Sequence, residues 1–327
     1  MVRMDFDIPG DDLTRVESSL ETLKYLIDHQ ATIILVGHKG RPEGVVVEEL
    51  SLKSLVKPLG KMFGREILFV EDFKNFDFGN AEVFLLENLR FDKRESLDPS
   101  QDTGAEEFAK KLAGLADFYV NEAFAVSHRA HASIVGIPKF LPHAAGFRLV
   151  QEIEHLNRVI QNPQRPLVFL ISGIKEDKLK MIEKIKHLAD KILVAGRLPE
   201  YFEKSSKSKT QMTNEEKVLV AQLNSDKEDI TIHSIEKFEE EIDKAKTIVL
   251  AGVIGKYEDE GQRLGTKRVF EAVANSSAYK VAGGGDTEAA LTIFDLTDKF
   301  DWISVGGGAM LEFLAKGTSP GTEALQG

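Results

Sequence analysis

Apolar runs alternate with amphipathic segments along almost the whole chain. In the first half, helix-like spacing of apolar residues between about 14 and 29 precedes the apolar run ATIILVG at 31–37. The runs EILFV, AEVFLLENL and LADFYV follow, with helix-like sequence at 45–64 and 104–114. Short apolar runs separated by helices are typical of βα units, whose parallel strands are covered on both faces. The pattern therefore predicts an α/β domain in the first half.

The same alternation restarts after a long amphipathic segment, LVQEIEHLNRVIQ, at 149–161. PLVFLISG, KILVAG, KTIVLAG, YKVAGGG and WISVGGG look like strands, and helix-like sequence follows each of them. The fold class that this pattern predicts is α/β, with two doubly wound parallel-sheet (Rossmann-like) domains joined by a hinge helix. The expected boundaries are 1–148 for the first domain, 149–163 for the interdomain helix, 164–303 for the second domain and 304–327 for a C-terminal segment.

Composition narrows the classes of function. The length of 327 residues suits two domains, and a net charge of −11 gives no bulk support for binding nucleic acid or an anionic membrane. The sequence contains no cysteine, which excludes disulfides and thiolate metal sites and agrees with a reducing compartment. The opening MVRMDFDIPG has no signal-peptide core, and no apolar run approaches the ~18 residues of a membrane span. We therefore expect a soluble, cytoplasmic protein.

Basic side chains follow three consecutive strands of the first half, where parallel sheets bind their ligands. They are His38 and Arg41 in GHKGRP, Arg90 in LLENLRF, and His128, Arg129 and His131 in HRAHAS. Arg3 and Arg15 lie near the start of the chain. An isolated arginine is explained as well by a surface ion pair, but guanidinium groups at three strand ends suit a shared carboxylate or phosphate. The sequence therefore predicts an anion site in the first domain.

The strand ends of the second half are rich in glycine instead. VAGGGDT at 281–287 and SVGGGAM at 304–310 each lie between a strand and a helix, where backbone N–H groups can surround a phosphate. Asp286 either holds Mg²⁺ or caps the next helix, and Lys175 and Lys178 either meet phosphates or are solvated. An anion domain and a phosphate-loop domain together favour phosphoryl transfer with domain closure.

These motifs together resemble the phosphoglycerate kinase family over essentially the whole chain. The matching segments are RMDFDIP at 3–9, GHKGRP at 37–42, LLENLRF at 85–91, HRAHASIVGIPKFLP at 128–142, KTIV, GVIGKYE at 252–258, GGGDT and GGGAMLE. The resemblance implies a monomeric, hinge-closing enzyme of glycolysis whose C-terminus returns to the first domain. The implied reaction is reversible phosphoryl transfer from 1,3-bisphosphoglycerate to MgADP, giving 3-phosphoglycerate and MgATP, with Mg²⁺ and the adenine nucleotide ATP or ADP as cofactor and co-substrate.

Site roles are implied residue by residue. The residues that the resemblance implies for binding phosphoglycerate are Arg3, Asp5, Asp7, His38, Arg41, Arg90, Arg129 and His131. The transferring phosphoryl group would meet Arg15, Lys175 and the backbone of Gly285 and Gly308. Nucleotide binding falls to Lys175, Lys178, Gly252, Glu258, Gly283, Gly284, Gly285, Asp286 and Thr287, with Asp286 also the residue for Mg²⁺ and Glu258 the residue for the ribose.

Departures from the family pattern concentrate on the nucleotide side. Asp7 stands where the family has Asn, and SGIKEDK is one residue shorter than its counterpart. AGRLP at 195–199 replaces a glycine-rich segment, and LAGV at 250–253 puts Ala251 in place of an Asn. These changes predict altered nucleotide affinity or base preference. The alternatives are a kinase that uses another phosphate donor and a non-catalytic protein that binds phosphoglycerate or a partner.

Overall fold

The structure is a computed structural model that describes residues 1–8, 13–73, 78–174, 176–204 and 217–327. Contacts between Cα atoms divide the chain into two compact units. Unit 1 consists of Met1–Ile153 and Thr318–Gly327, and unit 2 is Glu154–Gly317. The C-terminal segment expected at 304–327 is thus divided, because the helix Gly307–Lys316 packs against the helix Asp177–Ile185 of unit 2.

Unit 1 is built on a sheet in which six strands are described. They are β1 (Val2–Arg3), β2 (Ile33–Val36), β3 (Ile67–Val70), β4 (Val83–Leu86), β5 (Tyr119–Asn121) and β6 (His143–Ala145). The order across the sheet is β3-β4-β2-β1-β5-β6, and every pairing is parallel. The chain progresses outward from β1 in both directions, so the sheet is doubly wound and the carboxyl ends of β4, β2, β1 and β5 lie side by side.

Helices cover the sheet of unit 1 because its strands are apolar on both faces. All residues of β2 and β4 are buried. The helices are α1 (Thr14–Glu17), α2 (Leu20–Asp28), α3 (Val56–Phe63), α4 (Thr103–Ala113) and α5 (Phe147–Gln161), and the C-terminal α12 (Pro320–Glu323) also belongs to this unit. The N-terminus of α4 is capped by Asp102, whose carboxylate accepts a hydrogen bond from the backbone N–H of Ala105.

Three local expectations for unit 1 need correction. The helix expected at 14–29 is interrupted at Ser18 and Ser19, which separate α1 from α2. The helix expected at 45–64 is α-helical only in α3, because two 3₁₀ turns precede it and Ser51 caps the second through the backbone N–H of Lys53. The strand expected in LADFYV begins only at Tyr119.

Unit 2 repeats the architecture with a second sheet of six described strands. They are β7 (Leu167–Gly173), β8 (Lys191–Gly196), β9 (Val218–Val220), β10 (Thr247–Ala251), β11 (Tyr279–Gly283) and β12 (Trp302–Ser304). The order is β12-β11-β10-β7-β8-β9, again parallel throughout. The helices are α6 (Asp177–Ile185), α7 (Leu198–Lys204), α8 (Ile232–Lys244), α9 (Leu264–Asn275), α10 (Gly285–Ile293) and α11 (Gly307–Lys316).

The predicted fold class, two parallel α/β domains, is confirmed. One face of the central strands of unit 2, which includes Val168 and Leu170 of β7, packs against apolar residues of α8 and α9 such as Phe238 and Phe270. None of the helices in the described ranges has the length and apolar character that crossing a membrane would require.

Candidate active site

The carboxyl ends of β2, β4 and β5 in unit 1 surround a cavity of about 280 Å³. It is lined by Arg41, Glu43, Gly44, Arg90, Lys93, Ser96, Arg129 and His131, which we call the basic rim. Four of these residues were predicted from the sequence, and the structure brings all four together. Lys93 was not predicted from the sequence. It lies three residues after Arg90, and this short spacing between two basic residues was a signal that could have identified it. The two residues lie in consecutive 3₁₀ segments.

Arg90 is held in the rim with part of its donor capacity unused. The side chain is buried, and its Nη1 donates to the carbonyl oxygen of Gly40 at 2.7 Å. Its Nε is buried and has no hydrogen-bond partner among the described residues. Burial, followed by repulsion from Arg3 and Arg129, lowers the pKa of Arg90 to about 10. A buried cation with an open donor is a site at which an anion would be stabilised.

Two basic residues of HRAHAS, Arg129 and His131, also line the cavity. His131 is buried, and its Nδ1 lacks a hydrogen-bond partner within the described ranges. Burial, and then the charges of Arg90, Arg3 and Arg129, lower the pKa of His131 to about 3, so the ring is neutral at physiological pH. Arg129 is exposed and donates from Nε to His128 Nε2 at 3.3 Å. Arg41, also exposed, lines the same cavity.

Two carboxylates and Arg15 lie beside the rim on the segment after β1. Asp5 is buried, and this burial raises its pKa, an effect that the nearby Arg15 partly offsets. Arg15 Nη1 lies 3.3 Å from Asp5 Oδ2 and donates to the carbonyl oxygen of Asp7 at 2.8 Å. The Asp7 carboxylate accepts from the backbone N–H of Gly40 at 2.8 Å, and its Oδ2 is 4.0 Å from His38 Nε2. An extra negative charge therefore does stand next to the basic residues.

Replacing Asp7 with asparagine is expected to tighten the binding of an anion in the rim about fivefold. The amide keeps an oxygen that can accept from the Gly40 N–H, so the change removes a charge and little else. The side chain is 47% exposed, so the repulsion that disappears is worth only about 1 kcal/mol.

Calorimetric titration with 3-phosphoglycerate measures this effect. The matched control is Asp28→Asn, which makes the same charge change at the exposed end of α2, before β2 begins. Equal affinities of the Asp7→Asn variant and the unchanged protein would contradict the expectation.

Arg3 and His38 lie under the rim rather than on it. Arg3 has no exposed surface, and its guanidinium contacts Ser133, Glu95 and His38. The predicted contact between Arg3 and substrate therefore needs correction, since β1 is central in the sheet and the side chain is enclosed. His38 is 2% exposed, and burial, followed by repulsion from Arg3, lowers its pKa well below the usual value.

The carboxyl ends of β10, β11 and β12 in unit 2 carry the glycine loops. The backbone N–H of Gly252 donates to Thr287 Oγ1 at 2.9 Å, which joins the loop after β10 to α10. A Cβ on Gly307 would lie 2.9 Å from both the Gly283 carbonyl oxygen and Gly284 Cα, so the two loops can touch only as glycines. In contrast, a Cβ on Gly285 or on Gly308 would meet nothing within 4 Å. The helix N-termini of α10 and α11 thus face open space, as an anion site requires.

Charged residues flank these loops. Lys178 Nζ donates to the carbonyl oxygen of Ser172 and would lie 3.2 Å from a Cβ on Gly252, so it belongs to the same strand-end region. Lys175, predicted to act beside it, lies outside the described residues. Asp286 is exposed in the first turn of α10. The N-cap of this helix is Gly284 without any side-chain cap, so the alternative reading of Asp286 as a helix cap is wrong.

Asp286 fits Mg²⁺ as a single ligand. Across the described ranges, no group of three or more His, Cys, Asp or Glu side chains could hold a metal ion. Mg²⁺ at nucleotide sites keeps several waters and is bound through one or two carboxylates and the substrate phosphates, so it needs no protein cage. One exposed carboxylate beside open helix N-termini is consistent with that mode of binding.

Glu258 lies on a loop that is anchored from α9. The hydroxyl of Thr266 accepts from the backbone N–H groups of Ile254 and Gly255, at 3.2 Å and 2.9 Å. Buried Asp229 accepts from the Gly265 N–H at 2.8 Å. Glu258 is exposed. Burial, followed by the charges of Glu258 and Asp286, raises the pKa of the neighbouring Tyr257. The anchors Asp229 and Thr266 were missed, since short polar side chains distant in sequence give no local signal.

Arg197, the residue that distinguishes AGRLP, is fixed at the start of α7. Its backbone N–H donates to the Gly173 carbonyl oxygen at 2.9 Å, and its Nε donates to Glu200 Oε1 at 2.6 Å. Lys227 Nζ donates to the other oxygen of Glu200 at 3.0 Å. The two cations lower the pKa of Glu200 to about 2. A charged triad therefore stands beside the carboxyl end of β7.

Comparison with known proteins identifies relatives along nearly the full length. A family model described as phosphoglycerate kinase matches residues 1–228 and 209–317. The chain is 34% identical to phosphoglycerate kinase of Finegoldia magna, covering 99% of this chain and 95% of that protein, and 36% identical to that of Thermosipho africanus, covering 99% and 94%. Solved phosphoglycerate kinase structures from Coxiella burnetii and Pyrococcus horikoshii superpose with TM-scores of 0.82 and 0.83, at 29% and 27% identity, each covering 99% of this chain and 95% of theirs.

Proposed function

The chain belongs to the phosphoglycerate kinase family, and from this membership we propose that it transfers a phosphoryl group reversibly between 1,3-bisphosphoglycerate and MgADP, giving 3-phosphoglycerate and MgATP. As a member of this family it is a phosphotransferase whose acceptor is a carboxyl group. The observation that carries the proposal is the basic rim, where the donor Arg90 Nε and the ring nitrogen His131 Nδ1 are buried and have no hydrogen-bond partners among the described residues.

The basic rim is proposed to bind phosphoglycerate. The substrate carries a phosphate and a carboxylate, and guanidinium groups bind such planar or multi-oxygen anions through two donors at once. Arg41, Arg90 and Arg129 would hold these oxygens, and His131 would donate as a neutral ring. Asp5 would accept from the substrate hydroxyl, with Asp7 beside it. His38 would donate from the floor of the site.

The transferring phosphoryl group is proposed to be stabilised by Arg15, by Lys175, and by the backbone amides of Gly285 and Gly308. Charge in this transition state spreads over the equatorial oxygens, so positioned donors supply most of the catalysis. The exposure of the helix N-termini at both glycines supports this role. Arg15 is partly exposed and already near the carboxylates that flank the rim, which supports its access to the reacting group.

The nucleotide is proposed to bind at the glycine loops of unit 2. Gly252, Gly283, Gly284, Gly285 and Thr287 would surround its phosphates, with Lys178 as a point charge. Asp286 would hold the Mg²⁺ that neutralises the phosphates when the nucleotide is bound. Glu258 would accept hydrogen bonds from the ribose hydroxyls. The names of the relatives support a role in glycolysis. We further propose that the protein is a cytoplasmic monomer that closes about a hinge, and these three properties stay predictions.

A coupled assay with 3-phosphoglycerate and a panel of nucleoside triphosphates tests the proposal. Turnover with ATP supports it, and turnover only with another triphosphate would indicate the alternative of a changed phosphate donor. Binding of 3-phosphoglycerate without turnover on any donor would overturn both enzymatic readings in favour of a non-catalytic binding protein.

Base selectivity is expected to be weak, with dissociation constants for ADP and GDP that differ by less than about tenfold. The reason is Arg197, since a guanidinium at the end of β8 adds donors that can meet a keto group of guanine as readily as adenine nitrogens. Arg197→Gly is expected to shift the ratio towards ADP. Titration of both nucleotides into the protein measures the ratio.

The control for this titration is Lys227→Ala, which removes the other partner of Glu200 but leaves Arg197 in place. Tight and ADP-selective binding by the unchanged protein would show the expectation to be wrong.

A further inference from the structure

A buried chain of hydrogen bonds runs beneath the basic rim and ends at His38. The Tyr119 hydroxyl donates to the Ser133 carbonyl oxygen at 2.8 Å, and Ser133 donates to Glu95 from its backbone N–H at 3.0 Å and from Oγ at 2.6 Å. Arg3 Nε donates to Ser133 Oγ at 2.8 Å, and Arg3 Nη2 lies 3.8 Å from Glu95 Oε1. Arg3 Nη2 also lies 2.7 Å from His38 Nδ1. All five residues are buried.

The chemistry of the last contact decides where His38 carries its proton. A guanidinium has five N–H donors and no acceptor, so in the pair between Arg3 and His38 the imidazole Nδ1 must accept. A neutral imidazole that accepts at Nδ1 carries its proton on Nε2. That nitrogen is 4.0 Å from Asp7 Oδ2, on the segment that flanks the rim. The ring therefore directs an N–H towards the site.

The groups around His38 keep the ring neutral. Four basic residues act on it: Arg3 from β1, Arg90 from the segment after β4, and Arg129 and His131 from the segment after β5. The carboxylate of Asp7 is the acidic group that faces it. Burial is the largest influence, followed by Arg3 and Arg90, and together these effects lower the pKa of His38 well below the ordinary value. The lowered pKa favours the same neutral ring that the hydrogen bond from Arg3 requires.

We propose that Glu95 and Ser133 are positioning residues, which act through Arg3 to hold His38 as the Nε2–H tautomer and so fix one hydrogen-bond donor towards the bound anion. The identity of that anion as phosphoglycerate rests on the proposed function, but the tautomer does not. Glu95 neutralises the buried guanidinium, and Ser133 fixes its orientation through Nε. Without them, Arg3 would lose its countercharge and the partner of its Nε, and of its other contacts the hydrogen bond from Nη1 to the Met4 carbonyl oxygen would remain. The less constrained guanidinium would let the His38 ring exchange between tautomers.

The test is the paired variant Arg3→Met with Glu95→Gln. It removes the buried cation and its buried anion together, so neither charge is left uncompensated. Nitrogen-15 NMR of labelled histidine in the full-length protein, without ligand, reports the tautomer directly. We expect the unchanged protein to show Nε2–H at His38 from about pH 6 to about pH 8. In the paired variant we expect mixed tautomers and a His38 signal that titrates within that range, since a repulsive cation has gone.

Binding of 3-phosphoglycerate supplies a second readout. The affinity of the paired variant is expected to fall about tenfold at about pH 8, which corresponds to the loss of one fixed donor to a charged group. It should partly recover at about pH 6, as His38 becomes a cation. The unchanged protein should lack this step. Ser133→Ala retains the charges of Arg3 and Glu95, and it should lower the affinity for 3-phosphoglycerate by a smaller factor. This variant replaces the paired variant in the test if the paired variant does not fold.

The matched control is Tyr119→Phe, which removes one buried hydrogen bond of the chain without touching Glu95, Arg3 or His38. It should lower thermal stability and leave the His38 tautomer and the pH dependence unchanged. An Nδ1–H tautomer in the unchanged protein, or unaltered His38 signals in both test variants, would overturn the proposal. A tautomer change in a protein that does not bind 3-phosphoglycerate would support the proposal and contradict the proposed function, so the two failures are distinguishable.

Discussion

Replacing Arg15 with alanine is expected to lower kcat about 100- to 1,000-fold, which is the usual effect of removing one donor that stabilises transition-state charge. The KM for 3-phosphoglycerate should change by less than about fivefold, because the three arginines of the basic rim remain. Arg15 lies 3.3 Å from Asp5 and is only partly exposed, so its guanidinium is held near the rim without filling it. Steady-state kinetics with varied 3-phosphoglycerate measures both constants.

Two further variants test whether the effect of Arg15 on kcat comes from its positive charge alone. Arg15→Lys keeps the positive charge but loses the planar fork, and it should recover only part of kcat. Arg65→Ala is the matched control, since Arg65 is an exposed arginine of the same unit, paired with Glu82 at 3.1 Å. It should leave both constants unchanged. A normal kcat in Arg15→Ala would remove Arg15 from the transfer step, and a large rise in KM alone would make it a binding residue.

The strands that could be predicted from the sequence are those in which every consecutive residue is apolar and buried. Runs such as IILV in β2 and VFLL in β4 are buried throughout, so their apolar character alone marks them as interior parallel strands. β6 has the sequence HAA and only intermediate burial, so no hydrophobic periodicity predicts it as a strand. The order of strands in each sheet comes from crossovers between distant segments, which composition and periodicity do not encode.

The candidate site also contains residues that the local sequence identifies and residues that only the folded structure brings together. His38, Arg41, Arg90, Arg129 and His131 lie in the segments that follow β2, β4 and β5, so the rule that ligands bind at carboxyl ends leads to them as candidates from the sequence alone. The buried chain beneath them could not be found in this way. Glu95 and Ser133 are 38 residues apart, and a charged side chain normally indicates a surface position. Only the packed structure shows that Arg3 and Glu95 have no exposed side-chain surface.

Replacing Arg90 with alanine is expected to raise the dissociation constant for 3-phosphoglycerate about 100-fold. The side chain combines a positive charge that lines the rim with a buried Nε that has no partner in the described part of the chain. Arg90→Lys should restore little, since an ammonium lacks the second donor of the fork. Arg94→Ala is the control on the same segment, because Arg94 pairs with Asp92 and stacks on Phe108 instead of lining the rim. Calorimetric titration measures the constants.

Thermal unfolding of the same variants should show that Arg90 serves binding at a cost to stability. Burial, followed by repulsion from Arg3 and Arg129, lowers the pKa of Arg90, so its charge is unfavourable in the protein without ligand. Arg90→Ala should therefore unfold at the same temperature as the unchanged protein, or higher, when no ligand is present. Addition of 3-phosphoglycerate should raise the unfolding temperature of the unchanged protein and of Arg94→Ala, but not that of Arg90→Ala. A lower unfolding temperature with intact ligand stabilisation in Arg90→Ala would instead assign Arg90 to the structure of the loop that contains Gly40.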